Sequence, residues 1–220
     1  MKTILVPWLG FTQPQPDLSE VSKALDQLGP GHEISVVNWE GYVNKPAVRF
    51  NIGYGEKEIY LKYYVRENFV LAEKDSSNQG VCEDSCVEFF VSPEDDGIYY
   101  NFEFNPIGTC LLGKGHGRHD SRVVDTTYIS KIRRMGTLGT KPFSEKAGDQ
   151  YWELTVAIPL EAFAGKEIGT LEGKTFKANF YKCGDKLSQP HYLTWNPVGT
   201  PNPDYHRPEY FGNLVFEKRK

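Results

Sequence analysis

Apolar side chains recur at every second residue in segment after segment of this chain, and each such segment ends in Gly, Pro, Asn or Asp. A period of two marks strands with one buried face, whereas an amphipathic helix repeats its apolar face every 3.6 residues. Residues 34–39, 48–52, 59–65, 87–91, 99–104, 152–159 and 176–182 all read as strands rich in Val, Ile, Phe or Tyr, with shorter candidates at 193–195 and 214–216. The chain holds 21 Gly and 14 Pro, enough punctuation for many turns. Short strands joined at hairpin-like spacing predict an all-β fold, an antiparallel β-sandwich. No composition break or internal repeat divides the 220 residues, so residues 1–220 read as a single domain.

One helix interrupts the pattern near the N-terminus. Asp17 can cap it, Glu20 stands at the capping-box position, and Leu18, Val21, Leu25 and Leu28 mark its apolar stripe. Gly29-Pro30 ends it, and the short helix is expected to pack on an edge or end of the sandwich. Residues 113–125 and 159–173 read as loops or short helices, with a single turn at 160–163.

Lys and Arg number 25 against 29 Asp and Glu, a net charge of −4, which argues against a nucleic-acid binder. No apolar run approaches the ~20 residues of a membrane-spanning helix. The start, Met1-Lys-Thr-Ile-Leu-Val-Pro7, has one positive charge, a short apolar stretch and no small-residue cleavage site before Gln13, so it does not read as a signal peptide and favours the cytoplasm. Cys82, Cys86, Cys110 and Cys183 lack zinc-ribbon spacing and are expected to be free, mostly buried thiols.

Alternation sorts the strand residues into faces. Val87, Phe89 and Val91 share one face and leave Cys86, Glu88 and Phe90 on the other. Tyr100, Phe102 and Phe104 oppose Tyr99, Asn101, Glu103 and Asn105, and Asn179, Tyr181 and Cys183 fall together. If these strands are neighbours, one sheet face carries Glu88, Glu103, Asn101, Asn105, Asn179 and Tyr181. Carboxylates, amides and a phenol can exchange hydrogen bonds with sugar hydroxyls, although a solvated sheet face would have the same composition. Residues 191–213 add a loop stiffened by Pro197, Pro201 and Pro203 that holds Trp195, Tyr205, His206 and Arg207. Its rings can stack on a pyranose or plug one end of the sandwich.

Other chemistry is less well supplied. His116 and His119, with Asp120, sit on a Gly-rich stretch where no helix fixes the two histidines and no third metal ligand is evident, so a mobile loop is the plainer reading. Glu88 and Glu103 could serve as the acid and base of a glycoside-active enzyme, but that chemistry needs a cleft a flat sandwich face seldom provides. Met135 with one of the five histidines leaves a haem-binding alternative, and a purely structural role is the blandest one.

Asp84-Ser-Cys-Val-Glu-Phe-Phe-Val91, Tyr100-Asn-Phe-Glu-Phe-Asn105 and Trp152-Glu-Leu-Thr-Val-Ala-Ile-Pro-Leu160 together resemble carbohydrate-binding module family 9. The resemblance extends to Val37-Asn-Trp39, Val65-Arg-Glu67, Asn179-Phe-Tyr-Lys182 and Arg207-Pro-Glu-Tyr-Phe-Gly-Asn-Leu214, in that family's order and over most of the chain. It implies a β-sandwich that binds a mono- or oligosaccharide without catalysis, in polysaccharide or oligosaccharide breakdown and in association with glycoside hydrolases. No cofactor is expected; members of the family can bind structural calcium, but no segment here marks such a site. In the family a terminal sugar lies between two tryptophans, and a strand glutamate bonds it. Glu88 matches the glutamate, Cys82 or a neighbour stands at the first tryptophan, and Tyr205 or His206 at the second. Glu103 replaces an arginine and Tyr181 a glutamine, so the resemblance implies an inherited sandwich with a rebuilt clamp. The expected ligand-binding set is Glu88, Glu103, Asn105, Tyr181, Trp195, Tyr205 and His206.

Overall fold

The computed structural model describes residues 1–219. Its strands are β1 (Thr3–Val6), β2 (His32–Glu33), β3 (Val36–Val37), β4 (Ala47–Tyr54), β5 (Glu58–Ala72), β6 (Cys86–Ser92) and β7 (Tyr99–Phe104), continuing with β8 (Cys110–Gly115), β9 (Arg122–Val123), β10 (Arg133–Gly136), β11 (Phe143–Pro159), β12 (Thr175–Cys183), β13 (Tyr192–Thr194) and β14 (Gly212–Phe216). The helices are α1 (Leu18–Asp26) and α2 (Thr126–Ile129). Among the described residues no helix is long and apolar enough to cross a membrane.

Two sheets face each other. The larger has nine strands, ordered β1-β14-β12-β6-β7-β8-β9 with β13 and β3 attached beyond β12, and the smaller runs β10-β11-β5-β4-β2. The alternation read from the sequence sets the packing. Val87, Phe89, Val91, Tyr100, Phe102, Phe104 and Phe180 point inward and meet Phe50, Tyr63, Trp152 and Leu154 of the smaller sheet. Phe180 lies at the centre, stacked on Phe50 at 3.8 Å and on Phe89 at 5.0 Å, with the edge of Trp195 at 5.7 Å.

Several elements depart from expectation for identifiable reasons. The run at 34–39 is divided between sheets: β2 pairs with β4, and β3 with β13. β1 runs parallel to β14, an exception in an otherwise antiparallel ladder. β11 starts nine residues before the predicted 152, and its first half is a polar arm with two register shifts that β5 holds in place. α1 has Asp17 as its N-cap, accepting from the Ser19 N–H at 2.7 Å, while Glu20 contributes only its main-chain N–H. The helix lies on the outer face of the smaller sheet, with Val21 and Leu25 against Tyr60 and Ala157, not at an edge or end.

The outer face of the larger sheet corrects one expectation. Glu88, Asn101, Glu103, Asn105, Asn179 and Tyr181 do share it, but it is not solvated, and every one of them is at most 6% exposed. Residues 184–211 fold back across it and deliver Tyr205, Val198 and Phe211, with Trp39 and Val81 completing a second apolar layer.

Candidate functional site

The register of three central strands assembles the site. Glu88 on β6 stands directly opposite Glu103 on β7 and Tyr181 on β12, and Cys86 opposite Cys183. The covering segment leaves a cavity of about 100 Å³ over this patch, lined by Cys82, Glu88, Glu103, Cys183, Tyr205 and His206 and rimmed by Arg118, Asp185, Tyr192 and Pro203.

Its floor is two carboxyl groups side by side. The Cys183 thiol lies 3.1 Å from Glu88 Oε1, and the Asn101 amide donates to Glu103 Oε1 at 2.9 Å. Asn101 holds that position because its cross-strand partner is Gly113. A Cβ there would come within 2.4 Å of Asn101 Oδ1. Neither glutamate has an ion-pair partner among the described residues. Burial therefore raises both, Glu88 well above the usual carboxylate range with the adjacent Glu103 adding to the effect, and Glu103 to about 7. At neutral pH the floor retains proton, so it can donate to a hydroxyl as well as accept from one.

Aromatic rings form one wall. Tyr205 stacks on Tyr181 at 4.0 Å and 8°, and its hydroxyl donates to the Lys182 and Leu193 carbonyls at 3.0 and 3.3 Å. His206 shares a 2.6 Å hydrogen bond between Nδ1 and the Tyr99 hydroxyl and meets Phe90 edge-on. Burial, reinforced by Arg118, lowers its pKa to about 4. A histidine depressed from 6.5 contributes stability that is complete above pH 6.5 and lost as pH falls toward 4, by at most about 1.4 kcal/mol per unit. Urea denaturation at pH 7 and pH 4.5 should show part of the acid loss disappearing in His206→Gln. An identical loss in both proteins would refute this assignment.

The glycine-rich stretch finds its place here. His116 Nδ1 pairs with Asp120 at 2.9 Å, and Asp120 also caps the turn by accepting from the His116 and Gly117 N–H groups. His116 and Asp120 are exposed, and the turn they close presents Arg118 to the rim, where it pairs with Asp204 at 3.0 Å. The same Asp204 oxygen accepts from the His206 N–H, so this ion pair ties the β8–β9 loop to the covering segment.

Four of the seven expected residues, Glu88, Glu103, Tyr205 and His206, line one cavity. Tyr181 stands behind Tyr205, donating to its carbonyl at 3.1 Å. Asn105 is turned away, bonding Lys74 O, Asp84 and the Thr109 N–H. Trp195 packs edge-on to Phe180 in the sandwich core, where its ring leaves no room for a Cβ on Gly212. It plugs the core, as the alternative reading of the loop had it. Arg118, Asp185 and Tyr192 were missed because loops and pairings that no local pattern encodes bring them in, whereas alternation had put Cys183 on the face of Tyr181 without giving it a role. All four cysteines are free, three of them buried. Met135 lies on β10 of the other sheet, away from this cavity.

The sequence model of carbohydrate-binding family 9 matches residues 20–216. The chain belongs to carbohydrate-binding family 9. Among solved structures it is similar to a Bacteroides uniformis protein proposed to bind carbohydrate, with 41% identity, a TM-score of 0.93 and coverage of 98% of this chain and 99% of that one. Two structures of a family 9 module from Caldicellulosiruptor kristjanssonii share the fold at TM-scores of 0.59 and 0.58. They are 13% and 14% identical, cover all of this chain and 97% and 95% of theirs, and were solved in complex with glucose and with cellotriose. No curated protein matches the chain. The calcium that family 9 implies does not fit the side-chain cluster present. Among the described residues, one group of three His, Cys, Asp or Glu brings its donor atoms within 4.8 Å, and it is Cys86, Glu88 and Cys183. Calcium takes six to eight oxygens, and two of these three donors are sulfur.

Proposed function

We propose that this family 9 protein binds carbohydrate without transforming it, and that the cavity over Glu88 and Glu103 takes the end of a sugar chain. The observation that carries this reading is the pair of buried, adjacent carboxyls beneath the walls of Tyr205 and His206. Polar groups at the base of a cavity with one aromatic wall suit a pyranose, whose rim is hydroxylic and whose faces are C–H. A volume near 100 Å³ is small for a ligand site and favours a terminal unit over an internal span. The Caldicellulosiruptor complexes support glucose and cellotriose as the first ligands to test. A place beside glycoside hydrolases in polysaccharide breakdown is part of the same proposal.

Geometry speaks against catalysis. Glycosidase carboxyls flank the scissile bond from two sides. Glu88 and Glu103 are direct cross-strand neighbours on one face, so both approach a ligand from below. Tyr205→Ala would be a poor test because it removes a ring packed in the second apolar layer. Glu103→Leu keeps the volume and removes both oxygens. In calorimetric titrations with glucose, cellotriose and a wider sugar panel, wild type should saturate. Glu103→Leu should weaken binding about tenfold or more, the worth of one hydrogen bond to a charged or strongly polar group. Silence across the panel, or equal affinity in the folded variant, would reject the reading.

A further inference from the structure

Three donor groups converge on the floor of the cavity from two strands. Cys86 and Cys183 face each other across the β6–β12 ladder, and Glu88 follows Cys86 by two residues on the same face. Their ligating atoms all lie within 4.8 Å of one another, and Cys183 Sγ is already 3.1 Å from Glu88 Oε1. We propose that Cys86, Cys183 and Glu88 form a binding site for a thiophilic divalent cation such as zinc, open to the sugar cavity on its fourth side.

Geometry and chemistry both fit. A tetrahedral zinc with ~2.3 Å bonds to sulfur and ~2.0–2.2 Å bonds to oxygen sets its ligands roughly 3.5–3.8 Å apart, within reach of small side-chain rotations. Two sulfurs and one carboxylate select zinc or a similar soft ion over calcium or magnesium. Access exists because Glu88 and Cys183 line the cavity, and Cys82 and Glu103 border the same space. Electrostatics points the same way. Glu88 and Glu103 are both more than nine-tenths buried, and the cation at the rim, Arg118, is paired with Asp204. A buried acid without a counter-ion must hold a proton or take up a cation. On binding, zinc displaces the two thiol protons and the carboxyl proton to solvent, leaving a site with one net negative charge. Three protein ligands leave one position for water or a ligand hydroxyl.

Cobalt is the probe, added to the full chain under a non-thiol reductant after chelator treatment. The expected result is a thiolate-to-cobalt charge-transfer band with tetrahedral visible absorption, saturating at one cobalt per chain and erased by zinc. Cys183→Ser should abolish the band, Glu88→Gln should weaken cobalt binding at least tenfold, and Cys110→Ser should leave the spectrum unchanged. Glu88→Gln keeps the side-chain volume, so it reads the site even if a cysteine variant fails to fold. Absence of the band in folded, reduced protein would overturn the proposal, as would an unchanged spectrum in Cys183→Ser or unchanged cobalt affinity in Glu88→Gln. The sugar titration, run with chelator present, reads the carbohydrate proposal separately.

Discussion

Glu67→Gln should destabilise the fold by about 3–5 kcal/mol, because it leaves a lysine ammonium buried without its counter-charge. Lys182 is fully buried, with Nζ 2.9 Å from Glu67 Oε2. That oxygen has no hydrogen-bond partner by angle, so the contact is coulombic at an off-line approach. The other oxygen, Oε1, accepts from the Trp152 indole at 2.7 Å. Lys182 also reaches His191 Nε2 at 2.8 Å, and burial beside that ammonium holds the imidazole neutral, with its pKa near 2. Gln can keep the indole bond but supplies no charge. Guanidinium denaturation would measure the loss, and Glu67→Gln with Lys182→Met should recover part of it. A loss below about 1 kcal/mol in the single variant would show that the Glu67–Lys182 pair does not hold the fold in this way.

Phe180→Ala should cost a similar 3–5 kcal/mol, through the cavity left when a large ring is removed from a close-packed core. Its ring bridges both sheets, stacked between Phe50 and Phe89. Neither partner can move into the gap without dragging its strand, so little of the cavity should close. Val43→Ser, at a side chain 84% exposed, should stay within about 0.5 kcal/mol of wild type. Comparable losses at the two positions would mean that Phe180 does not organise the core. Against the 5–15 kcal/mol typical of a folded domain, either large loss would take a sizeable share of the stability.

What could be read in the sequence was whatever a single strand encodes. Glu88 and Glu103 were placed on one face because alternation fixes a side chain's direction once the strand is recognised. The same logic put Phe89 and Phe102 on the faces opposite them, and both pack in the core. It could not say whether the opposite face was wet, since that depends on the path of residues 184–211, some hundred residues away. Trp195 and Tyr205 shared one proline-stiffened stretch in the sequence. Pairing with β12 turns one into the core and leaves the other on the cavity wall. β8 was hidden by Gly113 and Gly115, poor strand formers retained because Asn101 and the Ser121 backbone occupy the space a Cβ would need. Arg118 was invisible for a related reason: its stretch looked like a histidine motif, and the feature that matters is where the turn points.

The long pairing of β5 with β11 has a consequence during synthesis. β5 ends at Ala72, and the strand that covers it does not begin until Phe143. At about 5–20 residues per second, a ribosome needs roughly 4–14 s to make the intervening stretch. Throughout that interval the β5 edge of the β4–β5 hairpin is open, although strands of the facing sheet are made within it. Slow translation or a shortage of chaperone should therefore appear first as aggregation of nascent chains, even when the finished protein is stable.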